Sequence, residues 1–509
     1  MKLSKRVQDL LSRMTREEKI SQMSQIIPSF FSEEGINKNE LTGLLSSDTA
    51  GESMLWNVGS VINVCEDAET NRALQKKYLE HNRLGIPLLF MSDVVHGYKT
   101  CFPVPLAMAC SFDYDAIHQC ARVCATEARA SGVHVTFAPV LDLARDPRWG
   151  RVNEGAGEDP FLGQLAAKAF VRGFQGDGKD DLKKDSYIAC TVKHFAGYGF
   201  SLGGRDYDET DISELTMREF ILPAFKTAVE EGAQLAMTAF TTYKGLPAIS
   251  SEELIKKILR EELRFDGVVI SDWDGIGCIY RYNVVKDGHE VVKAAMDATC
   301  DIDMMSFNYE KYLGDALTNG MVTEAQLDEA VGRILTLKEK IGLFEDPYFG
   351  ISKEKTEGYY MSEQHRALSR DTAKKSCVLL KNNGILPFPK DVKTVAVIGP
   401  SGGNVDVNGS WNFLCNWGFS VKLNEGIQNA LPGAEVILEQ GCEFDSRDPA
   451  LLAKAIDAAQ KADIVILALG EPSKWTGECA STTDIALSAP QMELAKEIIA
   501  VNKNTAVTL

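Results

Sequence analysis

The sequence has no apolar run approaching the ~18–20 residues needed to span a bilayer. Its opening stretch, MKLSKRVQDLLSRMTREEKISQM, holds neither an unbroken apolar segment nor a small-residue cleavage site. Positive charge is short: 54 Lys and Arg stand against 72 Asp and Glu, a net charge of −18. Nucleic acid and anionic membrane are therefore excluded as main partners, because both demand clustered cations. Cofactor signals are missing too. No strand runs into a glycine-rich nucleotide fingerprint. Cys120 and Cys124 lie four apart on an expected helix, but no second Cys/His pair has ligand spacing, so neither a metal nor a cofactor is expected. The twelve cysteines fall at irregular spacings, which reads as reduced thiols filling core space rather than a disulfide framework. With the leading Met and no leader, these features lead to the expectation of a cytoplasmic protein, monomeric or a homodimer.

What is present is an ordinary folded composition, 45% apolar and 25% charged over 509 residues. The N-terminus reads as an amphipathic helix with Val7, Leu10, Leu11, Met14 and Ile20 near one side. Apolar runs then recur at Val58–Asn63, Pro87–Asp93, Val135–Asp142, Ile188–His194, Leu235–Phe240 and Gly267–Asp272, each followed by a helical pattern. Few polar residues alternate within them, as in parallel strands covered on both faces. Spread over about 300 residues, they predict a (β/α)8 TIM-type barrel.

Ionisable residues stand where these runs stop: Asp93 and His96, Asp142, Lys193-His194, and Asp272 beside Trp273. A single such residue reads equally as a helix cap. Several of them on one barrel rim read as a site, because the C-terminal ends of all strands face the same way. The predicted domains are a barrel over 1–345, a polar surface linker over 346–370, and an α/β sandwich over 371–509, with strands at Val395–Gly399, Glu435–Leu438 and Ile464–Leu469. The last residues, Asn504–Leu509, read as the opening of another buried strand, so the sandwich is expected to be incomplete and the chain part of a longer one.

The order and spacing of several motifs resemble glycoside hydrolase family 3, in particular its β-glucosidases. They are Asp93 with His96-Gly97, Asp146 through Arg151 followed by Glu158-Asp159-Pro160, Lys193-His194-Phe195, Gly203 through Tyr207, Ser271-Asp272-Trp273, and the Gly470–Glu478 loop. The resemblance implies a barrel and an α/β sandwich, commonly with a further fibronectin-like domain. It implies Asp272 as nucleophile and Glu478 as acid/base, with Glu471 as the competing candidate. It implies that Asp93, Arg151, Lys193, His194 and Arg205 bind the sugar hydroxyls.

The chemistry fits these residue types. A retaining glycosidase needs two carboxyl groups ~5–5.5 Å apart, one attacking the anomeric carbon and one moving the proton. Trp273, and Met237 with Phe240, suit an apolar wall, although barrel packing explains the last two equally well. Trp411 and Trp417 suit a leaving-group platform or a core role. The loop Ala196–Arg205 contains no His that would serve as acid/base, which turns the reading away from N-acetylglucosaminidases of the family. The reading is thus a retaining exo-β-glucosidase acting on soluble glucosides or short oligosaccharides. The alternatives are a β-xylosidase or another exo-glycosidase, a phosphorylase, or a catalytically weak carbohydrate-binding fragment.

Overall fold

The computed structural model describes residues 2–31, 52–178, 180–412, 414–415 and 417–509. Eight parallel strands form one sheet: β1 (Ser24–Ile26), β2 (Ser60–Ile62), β3 (Leu89–Ser92), β4 (Val135–Thr136), β5 (Ala189–Phe195), β6 (Leu235–Thr238), β7 (Val268–Ile270) and β8 (Asp303–Met304). They lie side by side in chain order, and β8 pairs back onto β1 through Ser24–Asp303 and Gln25–Met304. Between β7 and β8 an Ile270–Ile302 bridge and the bond from Ser271 N to Ile302 O (2.9 Å) complete the ring. The expected barrel is present. Its interior and helix-facing sides form one continuous apolar core.

Six strands fall inside the apolar runs. β1 and β8 do not, because they bury polar side chains that find partners instead of grease: Ser24 Oγ bonds Glu310, and Gln25 Nε2 bonds Ser60 Oγ at 3.2 Å. β4 is shorter than its run because Pro139 has no N–H for the ladder. Pairing with β5 resumes only at the Val140–Lys193 bridge.

Two other expectations change in detail. The N-terminal helix is two, Lys5–Arg13 and Arg16–Gln22, because Thr15 and Glu18 form a capping box that starts a new helix. The apolar face survives the break, with Val7, Leu10, Leu11, Met14 and Ile20 all buried. The segment 346–370, expected as a surface linker, carries the helix Lys353–Tyr359 and the start of Glu363–Ser376. They dock on the barrel through Lys355–Asp185, His365–Glu127 (2.8 Å) and the bond from Ser369 Oγ to Cys101 O (2.6 Å). Polar composition there marks helices that touch the barrel by hydrogen bonds.

The second sheet has four parallel strands in the order β10 (Glu435–Glu439), β9 (Thr394–Ile398), β11 (Ile464–Ala468), β12 (Thr505–Thr508). Ala455, Ala458, Leu494 and Ile498 from two helices pack against Ala396, Ile398, Val465 and Leu467. The strand expected at the end of the sequence forms, paired with β11 from Val465–Thr505 to Ala468–Thr508. Within it Val507 is 46% exposed. The side chain of Trp417, one of the two candidate leaving-group platforms, lies outside the described residues.

Candidate active site

The two sheets meet over the C-terminal rim of the barrel. Residues 477–482 of the second domain run antiparallel to Arg148-Trp149-Gly150. The bonds are Gly150 N to Ala480 O (2.9 Å), Gly477 N to Gly150 O (2.7 Å) and Thr482 N to Arg148 O (3.0 Å). Gly150 is required for this approach: a Cβ there would lie 2.3 Å from Ala480 O and 2.4 Å from Gly477 O. Asp206 locks the same loop. It accepts from Cys479 N (2.7 Å), Trp149 Nε1 (2.9 Å) and Tyr198 Oη (2.6 Å), while its own N–H donates to Ser481 Oγ (3.0 Å).

Glu478 is thereby delivered to the rim. Its Oε1 accepts from Tyr207 Oη (2.5 Å) and pairs with Arg151 Nη1 (3.3 Å). Arg151 is fully buried and gripped by Glu154 through two 2.9 Å bonds; its Nη2 reaches His194 Nε2 at 3.1 Å. His194 in turn meets Asp142 Oδ2 through Nδ1 (2.6 Å) and Asp272 Oδ2 through Nε2 (3.4 Å). One continuous polar chain therefore links Asp272 at the end of β7 to Glu478 on the foreign loop. Beside it Lys193 Nζ bonds Asp93 Oδ1 at 3.2 Å and sits over the Trp411 ring, 4.9 Å from its centroid.

Burial dominates the electrostatics. It raises the Asp272 carboxyl to about 7, opposed by the Lys193 and Arg151 cations. Asp142 is likewise raised to about 7, and burial raises Asp93 against the pull of Lys193. His194 is pushed well below its ordinary range by burial and then by Arg151 and Lys193, so its ring is neutral. Neutral His194 with Nδ1–H on Asp142 presents Nε2 as an acceptor to Arg151.

The structure brings Asp272, Glu478, Asp93, Arg151, Lys193 and His194 together. It does not bring in Arg205, whose side chain is 66% exposed and paired with Asp208. From the same loop Asp206 and Tyr207 reach the site instead. Met237 is buried within the barrel core. Phe240 lines a cavity with Asp272, Thr238, Cys278 and Tyr282, and Tyr207 packs edge-on against it at 5.1 Å. Trp273 stands on the rim, 41% exposed, its N–H donating to Asp272 Oδ1 at 2.6 Å. Sequence reasoning missed Glu154, Tyr207 and the contact of Asp142 with His194. Asp142 carried a signal, as a carboxylate where an apolar run stops. Glu471, three residues past the end of β11 at Ala468, makes none of the contacts that tie Glu478 to the barrel.

Two family models match the chain, the glycosyl hydrolase family 3 N terminal domain over residues 15–337 and the C-terminal domain over 377–509. The chain belongs to glycosyl hydrolase family 3. It is 34% identical to a periplasmic beta-glucosidase of Salmonella typhimurium over 99% of the chain and 67% of that protein. It is 30% identical to a putative beta-xylosidase of Formosa agariphila, covering 100% of the chain and 68% of that protein. Among solved structures it is similar to a mutant beta-glucosidase of Listeria innocua in complex with laminaribiose. That match has TM-score 0.94 and 39% identity, and covers 100% of this chain and 70% of that one. The family 3 chain described here is a glycoside hydrolase that spans about two thirds of the length of these relatives. No helix among its described residues is long and apolar enough to cross a membrane. The Salmonella relative is named periplasmic, so the cytoplasmic expectation finds no support in these comparisons.

Proposed function

We propose that this family 3 hydrolase is a retaining, exo-acting β-glucosidase that removes terminal non-reducing β-D-glucosyl residues by double displacement. The observation that carries the reading is the unbroken contact path Asp272–His194–Arg151–Glu478, which joins a barrel carboxylate to one from the second domain at one cleft. In this reading Asp272 attacks the anomeric carbon, and Glu478 protonates the departing oxygen and then activates the water that releases the glycosyl-enzyme. Asp93 and Lys193 hold sugar hydroxyls; a buried carboxylate left unpaired by an epimer would penalise that epimer strongly. His194, neutral with Nδ1–H on Asp142, accepts at Nε2 from Arg151, and Arg151 steadies the Glu478 carboxylate. Trp273, Met237 and Phe240 supply apolar surface, and Arg205 is withdrawn from the sugar-binding set in favour of Tyr207.

The glucoside reading leans on structures of the Listeria enzyme bound to laminaribiose, glucose and isofagomine. The Formosa relatives favour β-xylosidase as the second reading. A panel of aryl glycosides and defined disaccharides, with product anomers read by NMR, tests both. Release of β-glucose first supports the proposal. An α-anomer first product rejects retention, and faster turnover of aryl xyloside than of aryl glucoside selects the second reading. Both carboxylates come from one chain, so the chemistry asks for no second copy, and a homodimer would be an assembly property alone. A cytoplasmic home is read from the N-terminal sequence and from twelve irregularly spaced cysteines that suit reduced thiols.

A further inference from the structure

The loop after β3 carries, besides Asp93, a group that the sugar chemistry leaves unused. His96 is fully buried, and both of its ring nitrogens face backbone carbonyls: Nδ1 lies 2.8 Å from Phe102 O, and Nε2 lies 2.6 Å from Ser410 O of the second domain. A carbonyl only accepts, so both nitrogens donate and the ring is an imidazolium. A buried cation calls for a counter-charge. Cys101 Sγ stands 3.9 Å from Nδ1 and 3.6 Å from Phe102 O, the carbonyl that Nδ1 also reaches, so the sulfur lies beside the imidazolium.

A second thiol completes the cluster from across the domain boundary. A Cβ on Gly97 would lie 2.9 Å from Cys101 Cα and 3.0 Å from Cys415 Sγ, so the Cys415 sulfur stands beside the Cys101 backbone. Gly97 and Cys101 pair as an antiparallel bridge, which fixes that side of the cluster. The neighbouring Cys415 thiol first, and His96 after it, hold the Cys101 thiol well below its ordinary range against burial. Cys415 is pushed up by Cys101 and by burial, so it keeps its proton. A low-lying thiolate beside a protonated partner thiol is the arrangement of a redox-reactive pair.

We propose that Cys101 and Cys415 form a hydroperoxide-reactive dithiol site whose oxidation to a disulfide ties the barrel to the second domain. The Cys101 thiolate attacks one peroxide oxygen; the O–O bond breaks, Cys101 becomes the sulfenic acid, and hydroxide leaves. Cys415 sulfur then attacks the sulfenic sulfur. The S–S bond forms as S–O breaks, and the oxygen departs as water with the Cys415 proton. Two electrons pass from the two sulfurs to the peroxide. The bond would anchor Ser410 and Trp411, and Trp411 covers Lys193 and Arg151 at the cleft.

The test is treatment of the whole chain with hydrogen peroxide followed by peptide mapping without reduction, with no reference to turnover. The expected result is a linked Cys101–Cys415 peptide that appears before oxidation of the exposed Cys65, Cys110 and Cys377, and that dithiothreitol reverses. Iodoacetamide at pH 6 should label Cys101 at least about tenfold faster than Cys110, because the Cys101 sulfur beside His96 reacts as the thiolate. C101S and C415S should each abolish the linked peptide. A peptide joining other cysteines instead, or Cys101 left as a thiol while the exposed cysteines oxidise, overturns the proposal. So does equal labelling of Cys101 and Cys110 in the wild-type chain, a readout that needs no variant to fold.

Discussion

The two carboxylates at the cleft are held in opposite ways. Asp272 ends a fully buried strand, is 14% exposed, and owes its place to the barrel's own ladder. Glu478 sits on a loop, 28% exposed, and owes its place to another domain: to Gly150, Asp206, Tyr207 and Arg151. In the proposed mechanism the nucleophile side would thus be set by the fold, and the proton-transfer side by an interface. Damage to the first should destroy chemistry outright. Damage to the second should be graded, because the loop can shift without unfolding either sheet.

The largest effect should come from Asp272→Ala, which removes the attacking group. Turnover of an aryl β-glucoside should fall on the order of 10⁴- to 10⁶-fold with the circular dichroism spectrum unchanged. Retained activity would dissolve the contrast altogether. Glu478→Gln should cost ~10²–10⁴-fold on glucosides with poor leaving groups. The loss should shrink for leaving groups that need no proton, which separates an acid/base from a merely structural glutamate.

Gly150→Ala sharpens the comparison further, since it touches neither carboxylate. Its Cβ would meet two carbonyl oxygens at 2.3 and 2.4 Å, so the 477–482 strand must move and carry Glu478 away. We expect kcat to fall ~10–10²-fold while the affinity for a glucose-like inhibitor, held from the barrel, changes less than about threefold; a 1 Å misplacement suffices for a loss of that size. Equal losses in kcat and inhibitor affinity would show that the loop binds sugar as much as it moves protons.

The same division governs how much could be read from the sequence. Strand-end residues such as Asp93, Lys193, His194 and Asp272 are legible because a continuous apolar run points at them and parallel topology sends all such ends to one rim. Ser24–Ile26 is hidden because Ser24 and Gln25 are buried polar side chains satisfied by distant partners, and Asp303–Met304 because it is short and opens on a buried carboxylate bonded to nearby Ser306. Arg205 was misplaced for a backbone reason: Gly203, Gly204 and Tyr207 all have positive φ, so the loop reverses and presents Asp206 and Tyr207 to the cleft. Long-range pairings such as Gly150–Ala480 leave no local pattern. Only the motif resemblance pointed to Glu478; the coordinates add its contacts with Arg151 and Tyr207, which Glu471 does not make.

The smallest expected effect concerns the cost of burying the nucleophile. Asp272 is raised to about 7 mainly by burial, so the acid limb of kcat/KM should be half-complete near pH 7, rising as the carboxylate ionises. Stability should run the other way. Between its ordinary value near 3.8 and about 7, the folded chain keeps a proton that the unfolded chain has released, so unfolding becomes easier as pH rises through that window. Asp272→Asn removes this penalty. The variant should melt about 2 °C above the parent at pH 7.5 and show no advantage at pH 4, read by differential scanning calorimetry at matched ionic strength. If Asp272→Asn left the pH dependence of melting as it is in the parent, the buried strand end would not be where the strain of the site resides.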